Sequence, residues 1–174
     1  MFYSKVLIVD IETSGLNPQE HSILSIGAVQ LDENLSITQQ KYWLVKPLSP
    51  YYYSQEALRI NGFETFDFSQ HEYAEHVIHK FHSIFGQQEA MPILCGWNVG
   101  FDQSFLKELY KIYKLQWPFD YHLLDLQSIA RFRNDGMKTT LHSELKKHGK
   151  MLSHNALQDA LDEAFLLQQY HSNN

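Results

Sequence analysis

Cysteine is nearly absent from this sequence: Cys95, in the apolar run Pro92-Ile93-Leu94-Cys95, is the only one among 174 residues. An internal disulfide is thereby excluded, and a cytoplasmic protein is expected, because thiols stay reduced there. Long hydrophobic runs are lacking too, so no stretch reaches the length of a membrane-spanning helix. The amino terminus has no charged-then-apolar pattern of a secretory signal. Positive charge is in deficit, with 14 Lys and Arg against 20 Asp and Glu and a formal net charge of −6. That balance argues against broad electrostatic binding along a duplex, but not against a nucleic acid held by its end. Acids that serve as metal ligands would attract phosphate only once their ions are bound. Internal repeats, low-complexity tracts and linkers are missing as well. What is present is 44% hydrophobic, which suits one globular domain over residues 1–174 with a sizeable core.

The run Lys5-Val6-Leu7-Ile8-Val9-Asp10-Ile11-Glu12 reads as a strand buried on both faces. Asp10 and Glu12 stand two apart, so their carboxylates leave the same side of a sheet. Thr13-Ser14-Gly15-Leu16-Asn17-Pro18 then breaks the strand. Two carboxylates at the end of an apolar strand are costly to bury unpaired, and a divalent cation is their natural partner. The alternative is two solvated acids beside a turn.

Ser22 to Leu31 and Ile37 to Lys46 are strand-like runs joined by the polar turn Asp32-Glu33-Asn34-Leu35-Ser36, hence an antiparallel hairpin closed by Pro47 and Pro50. After Tyr51-Tyr52-Tyr53, a short helix from Ser54 to Ile60 is stopped by Asn61-Gly62. Ala74, Val77, Ile78, Phe81 and Phe85 recur at helical spacing within a helix predicted from Ser69 to Phe85. His71, His76, His79 and His82 occupy its other side. No carboxylate or cysteine joins them at a ligand spacing, so a solvated face is expected rather than a metal site. Pro92 to Cys95 forms another strand, and Gly96-Trp97-Asn98 opens a helix from Val99 to Leu115 with Asp102 in its first turn. Lys107, Lys111 and Lys114 make its outward stripe. Phe119 to Leu126 is a further candidate strand, running into a helix through Arg133, and Thr140 to Lys147 is a helix ended by His148-Gly149. One locally basic stretch carries Arg131, Arg133, Lys138, Lys146, Lys147 and Lys150 against Asp135 and Glu144. It is either a phosphate-holding surface or ordinary solvated charge.

The last helix starts at Ala156, with Leu157, Ala160, Leu161, Ala164, Phe165 and Leu167 building an apolar face and Asp159 on its border. His154 precedes Asp159 by five residues, which would place it roughly 140° round a continuous helix. The two converge only if His154 sits in the loop before the first turn, free to swing over. A fixed acid beside a mobile base suits metal-assisted hydrolysis.

Taken together, Asp10-Ile11-Glu12-Thr13, Asn98-Val99-Gly100-Phe101-Asp102 and His154-Asn155-Ala156-Leu157-Gln158-Asp159 resemble the three exonuclease motifs of the DnaQ-like superfamily. The histidine in the third motif resembles the DEDDh branch, the group of the epsilon proofreading subunit of DNA polymerase III, ribonuclease T and oligoribonuclease. The resemblance runs from Lys5 to about Tyr170. It implies an α/β, ribonuclease-H-like fold, with a mixed five-stranded sheet flanked by helices on both faces. The implied activity is 3′-to-5′ hydrolysis of single-stranded or frayed ends, releasing nucleoside 5′-monophosphates. Two divalent cations, Mg²⁺ or Mn²⁺, about 3.5–4 Å apart would be the cofactors. By the same resemblance, Asp10 bridges both ions, Glu12 and Asp159 complete one, Asp102 holds the other, and His154 takes the proton from the attacking water. Thr13, Leu16, Asn61, Asn98 and Phe101 fall where relatives contact the terminal nucleotides. Leu16 matches an apolar wedge against bases. Asn61-Gly62 replaces the usual histidine-glycine pair, and Trp97 replaces a common histidine. The implied partners are 3′ ends of single-stranded DNA or RNA, with a polymerase or other replication or repair protein as a further candidate. Two other functions compete: a catalytically silent nucleic-acid-binding module, and a partner-dependent proofreading subunit.

Overall fold

The computed structural model describes residues 5–48, 51–134 and 138–172. Pro50, Asp135, Asn173 and Asn174 lie outside the described residues.

Alternation along β1 (Val6–Thr13) decides where the rest of the chain can sit. Leu7, Val9 and Ile11 enter one hydrophobic layer, and Val6 and Ile8 enter another on the opposite side of the sheet. Period-two geometry then sends Asp10 and Glu12 out on the Val6 and Ile8 side. β2 (Ile23–Leu31) pairs antiparallel with β1, and β3 (Ile37–Lys46) antiparallel with β2, so the expected hairpin is present. β4 (Glu72–Tyr73) lies parallel to β3. On the other flank, β5 (Ile93–Gly96) runs parallel to β1, and β6 (Leu123–Asp125) parallel to β5. The order is β4-β3-β2-β1-β5-β6. The sheet thus has six strands rather than five; the addition is β4, whose two residues are too few to leave a periodic trace.

Helices cover both faces. α1 (Gln55–Ile60) is capped by the Ser54 side chain and followed by Gly62 at φ +73°. α2 (Ala74–Phe81) and α3 (Gly100–Ile112) bury their apolar sides with Leu7, Val9 and Ile11. α4 (Leu126–Arg133), α5 (Leu141–Lys147) and α6 (Ala156–Ser172) close the other face with Val6, Ile8, Val29 and Leu31.

Several boundaries differ from the sequence reading. α2 begins at Ala74, not Ser69, because Asp67 caps a short 3₁₀ turn at Phe68–Gln70 and the chain then enters β4. Beyond Phe81 the helix widens into a π turn at His82–Gly86, which keeps Phe85 buried beside Phe81. His71 therefore belongs to no helix face; it is buried against Phe66 and Phe68. α3 ends at Ile112, before Lys114 at φ +54°, and the strand expected over Phe119 to Leu126 shrinks to β6. Within the basic stretch, Lys147 pairs with Glu144, Lys150 with Asp162, and Arg133 donates to the Tyr170 carbonyl. Those three charges fasten the α4–α5–α6 layer to itself. Among the described residues, no helix is long and apolar enough to cross a membrane.

Candidate active site

Gly27 lies opposite Asp10 in the β1–β2 register. A Cβ at that position would stand 2.1 Å from the Ala156 carbonyl oxygen and 2.4 Å from the Leu157 nitrogen. Only glycine lets the first turn of α6 lie directly on the sheet. That contact, with the small residues Ala160 and Ala164 along the same face, brings Asp159 down beside the carboxylates of β1. The preceding loop is folded around Asp159 itself. Its Oδ1 accepts from the Ser153 hydroxyl at 2.8 Å and the Ser153 amide at 3.1 Å, while Asn155 Oδ1 caps the helix at the Gln158 amide. His154 sits in this loop, exposed and at φ +53°. The expected convergence is realised: ligand atoms of Glu12, His154 and Asp159 lie within 4.8 Å of one another.

Asp102 arrives from the opposite layer. α3 carries it to the end of β1, where its Oδ1 accepts from the Ile11 amide at 3.1 Å and only 5% of the residue is exposed. A further acid, Glu163, lines the same cleft with Asp10, Glu12, His154 and Asp159. Sequence reasoning missed it. The available signal was its position one helical turn beyond Asp159, on the side of α6 that faces the sheet.

Electrostatics set this cleft apart from the other buried acids. Glu144 and Asp162 each have a lysine partner at 2.5 and 2.6 Å. Among the described residues, no lysine or arginine pairs with Asp10, Glu12, Asp102, Asp159 or Glu163. The consequence is crowding of like charge in a poorly hydrated place. Burial, then the charges of Asp159 and Asp102, pushes Glu12 up to about 8. Burial also pushes Asp102 up to about 8, against the lowering effect of its backbone hydrogen bonds. Asp10 is held well above the usual carboxylate range by burial first, then by Glu163, Asp102, Glu12 and Asp159. Glu163 is raised in the same way, mostly by burial and by Asp102.

A second cavity, of about 560 Å³, adjoins the acidic cleft and shares Ile11 and Glu12 with it. Leu16, Ala57, Ile60 and Phe101 supply apolar walls, with Thr13 and Asn61 between them. Leu16 is 82% exposed, yet its turn is rigidly held. Fully buried Ser14 donates its hydroxyl to the Tyr52 carbonyl and accepts from the Ser22 amide, and its backbone carbonyl accepts from the Ser54 amide. Thr13 spends its hydroxyl on the Gly15 carbonyl, and Asn61 Nδ2 donates to the Thr13 carbonyl at 2.9 Å. Thr13, Leu16, Asn61 and Phe101 are thus gathered around one space. Asn98 lines neither cavity: it is exposed at φ +59°, and its amide is held by Asp125. Trp97 packs against the α4–α6 core layer, the ordinary role of a large aromatic.

The donor set fits divalent cations. Carboxylates that are crowded, buried and unpaired with protein cations need an external positive charge, and Glu163 Oε2 is fully buried with no hydrogen-bond partner.

Comparison with known proteins agrees with this geometry. The family profile RNase_T, described as exonuclease, matches residues 7–166. A 3′-5′ DNA exonuclease from Escherichia coli, Cap18, is 29% identical over 171 residues, covering 91% of this chain and 87% of the relative. Exonuclease I of E. coli in complex with a 5cy-dT13 oligonucleotide superposes with a TM-score of 0.83 at 19% identity, over 98% of this chain and 41% of that one. A zinc-bound form of the exonuclease I–single-stranded DNA complex gives 0.83 at 20% identity, over 98% of this chain and 41% of that one. The chain thus spans about two-fifths of the length of those exonuclease I structures. The fold is ribonuclease-H-like, the cleft is suited to divalent metal ions, and the chain belongs to the RNase_T exonuclease family, enzymes that hydrolyse phosphodiester bonds.

Proposed function

We propose that this protein is a 3′-to-5′ exonuclease that removes nucleoside 5′-monophosphates from single-stranded DNA ends. The observation that carries the reading is the junction of the two cavities at Glu12. A cleft of unpaired carboxylates meets an apolar slot edged by an exposed leucine, as a terminal nucleotide needs beside its scissile phosphate. DNA is chosen over RNA because the curated relative that matches most of both chains is a DNA exonuclease.

Asp10, Glu12, Asp102 and Asp159 would hold Mg²⁺ or Mn²⁺, the ions that an all-carboxylate oxygen set favours. Bound there, the ions supply charge neutralisation at the phosphoryl oxygens and activation of water. The protein's own residues do the rest. Ser153 fixes one oxygen of Asp159 and leaves the other to the cleft. Leu16 and Phe101 flank the terminal base, and a Leu16 side chain on a braced turn wedges against it without paying to order the loop. His154, exposed and beside Glu12 and Asp159, takes the proton from the attacking water as general base. Both cavities are built from residues of this chain, and its single, buried cysteine, Cys95, suits a cytoplasmic enzyme.

The test is a time course on matched DNA and RNA strands labelled at the 5′ end, from dinucleotides to longer oligomers, with Mg²⁺ or Mn²⁺. The reading expects a descending ladder from the 3′ end, faster on DNA, with 5′-monophosphates as product. Internal cuts, or no hydrolysis under any of these conditions, would overturn it.

A further inference from the structure

Glu163 belongs to none of the three motifs, yet it is 1% exposed and lines the acidic cleft. Its Oε1 accepts the Trp97 amide at 3.1 Å. Its Oε2 is buried without a partner. Gly96 packs close to the sheet here: a Cβ on it would come within 3.0 Å of the Val9 carbonyl, and 3.4 Å from Glu163 Oε2 is ordinary contact. The next amide, Asn98, is held by Asp125 at 2.9 Å. Two consecutive amides of one turn are therefore gripped by carboxylates from α6 and from the end of β6, and Asn98 between that grip and α3 is left-handed at φ +59°. Asparagine accepts that conformation with little strain, so what the two carboxylates fix is the position of the turn. This turn is also the lead-in to α3 and Asp102.

We infer that Glu163 is a positioning residue: it clamps the Gly96–Val99 turn to α6, so that acids from β1, α3 and α6 keep one metal-binding geometry. This rests on the metal-site reading above. Oε1 fixes the turn, and the unpartnered Oε2 lies in the cleft that Asp10 also lines, where Glu163 acts on the ligands through the turn it holds. A clamp of this kind explains why an acid with no lysine partner is retained in the core layer next to four others.

Three variants separate the alternatives. Glu163→Leu removes the acceptor for the Trp97 amide. Glu163→Gln keeps that acceptor and puts a donor beside Asp10. Glu163→Asp keeps the charge but withdraws it by one methylene. Two readouts are used: hydrogen exchange of the Trp97 amide by NMR, which needs no metal, and Mn²⁺ affinity by calorimetry. The inference expects fast Trp97 exchange and a loss of about 10–100-fold in Mn²⁺ affinity for Glu163→Leu, the scale of outer-contact losses at metal sites. Glu163→Gln should resemble wild type in both. Should the leucine variant not fold, Glu163→Asp carries the test, with faster Trp97 exchange and weaker Mn²⁺ binding although the charge remains. Wild-type Mn²⁺ affinity in Glu163→Leu or Glu163→Asp would reduce Glu163 to a packing role and overturn the inference. Equal loss in Glu163→Gln and Glu163→Leu would overturn it too, by making Glu163 a direct ligand. If the wild type bound no Mn²⁺ at all, the metal-site reading would fail, while Trp97 exchange would still report on the clamp.

Discussion

His154 shows how much a single residue's surroundings decide. It occupies a left-handed backbone at φ +53°, a conformation that glycine, asparagine, aspartate and histidine adopt more readily than alanine. Its substitutions therefore act in two ways. His154→Ala removes the base and also places alanine in a strained conformation; His154→Asn removes the base at a backbone asparagine tolerates. Both should lower the single-turnover rate by about 10²–10⁴-fold. Only the alanine variant should also lower the thermal midpoint noticeably. Stopped-flow cleavage with parallel thermal melts checks this, and an asparagine variant with near-normal turnover would move the base elsewhere. The same loop explains why spacing alone left His154 and Asp159 apart. A continuous helix separates them, whereas the Ser153–Asp159 hydrogen bonds end the helix and fold the loop back over it. Ser153 carried no sequence signal beyond its place before the motif.

Among the elements, the contact between β2 and α6 is the one the site depends on. Gly27→Ala would drive a Cβ into the Ala156 and Leu157 backbone, at 2.1–2.4 Å, and no flexible side-chain end is there to yield. The variant should lose stability by about 1–3 kcal/mol, as overpacked cores do, and lose activity more than its stability alone explains, because Asp159 shifts with α6. Denaturant unfolding beside steady-state assays measures both; normal activity with a normal midpoint would mean that α6 need not sit so close. The turn bearing Leu16 behaves differently. Because Ser14 braces it, Leu16→Ala should leave fold and metal affinity unchanged and weaken binding of a short single strand by about 1 kcal/mol, the low end for stacking platforms. Fluorescence anisotropy in Ca²⁺, where cleavage should be slow, checks this; unchanged affinity would remove Leu16 from the slot.

Much of this element scale was legible. Apolar alternation placed β1, and Asp10 and Glu12 at spacing two were bound to share a side. Helical spacing placed α3, overrunning its end by three residues, and the start of α6 at Ala156. What periodicity could not show were features made by tertiary contact. β4 exists because β3 offers an edge, α2 starts late because Asp67 caps a separate turn, and His71 turned inward with that shift. Glu163 looked like one more acid on a helix until the fold put it beside Asp10. Gly27 is an ordinary glycine in a strand until α6 lies across it.

At the scale of the whole molecule, the cleft links stability, protons and metal. Glu12 and Asp102, pushed up to about 8, hold protons in the folded state that the unfolded chain has already released. Stability from these groups is therefore complete below their unfolded pKa values of about 4 and is lost as pH rises through about 8. The metal-free protein should melt at lower temperature as pH rises from about 5 to about 8. Mn²⁺ binding needs the deprotonated carboxylates, so the stabilisation it adds should grow over the same range. Thermal melts across pH, with and without Mn²⁺, test the sign. Asp102→Asn should flatten the metal-free slope.

The claim on which the rest depends is that the unpaired carboxylates form a metal-dependent hydrolytic centre. The most direct measurement is cleavage of a 5′-labelled single strand by wild type, Asp10→Ala and Asp159→Ala at saturating Mn²⁺, with circular dichroism confirming that each is folded. Wild type should shorten the strand from its 3′ end only when metal is present. Both variants should stay folded, since removing one of several crowded like charges relieves repulsion, and both should be inactive. A folded Asp10→Ala or Asp159→Ala variant that cleaves at near the wild-type rate, or a wild type as fast in chelator as in Mn²⁺, would contradict the account.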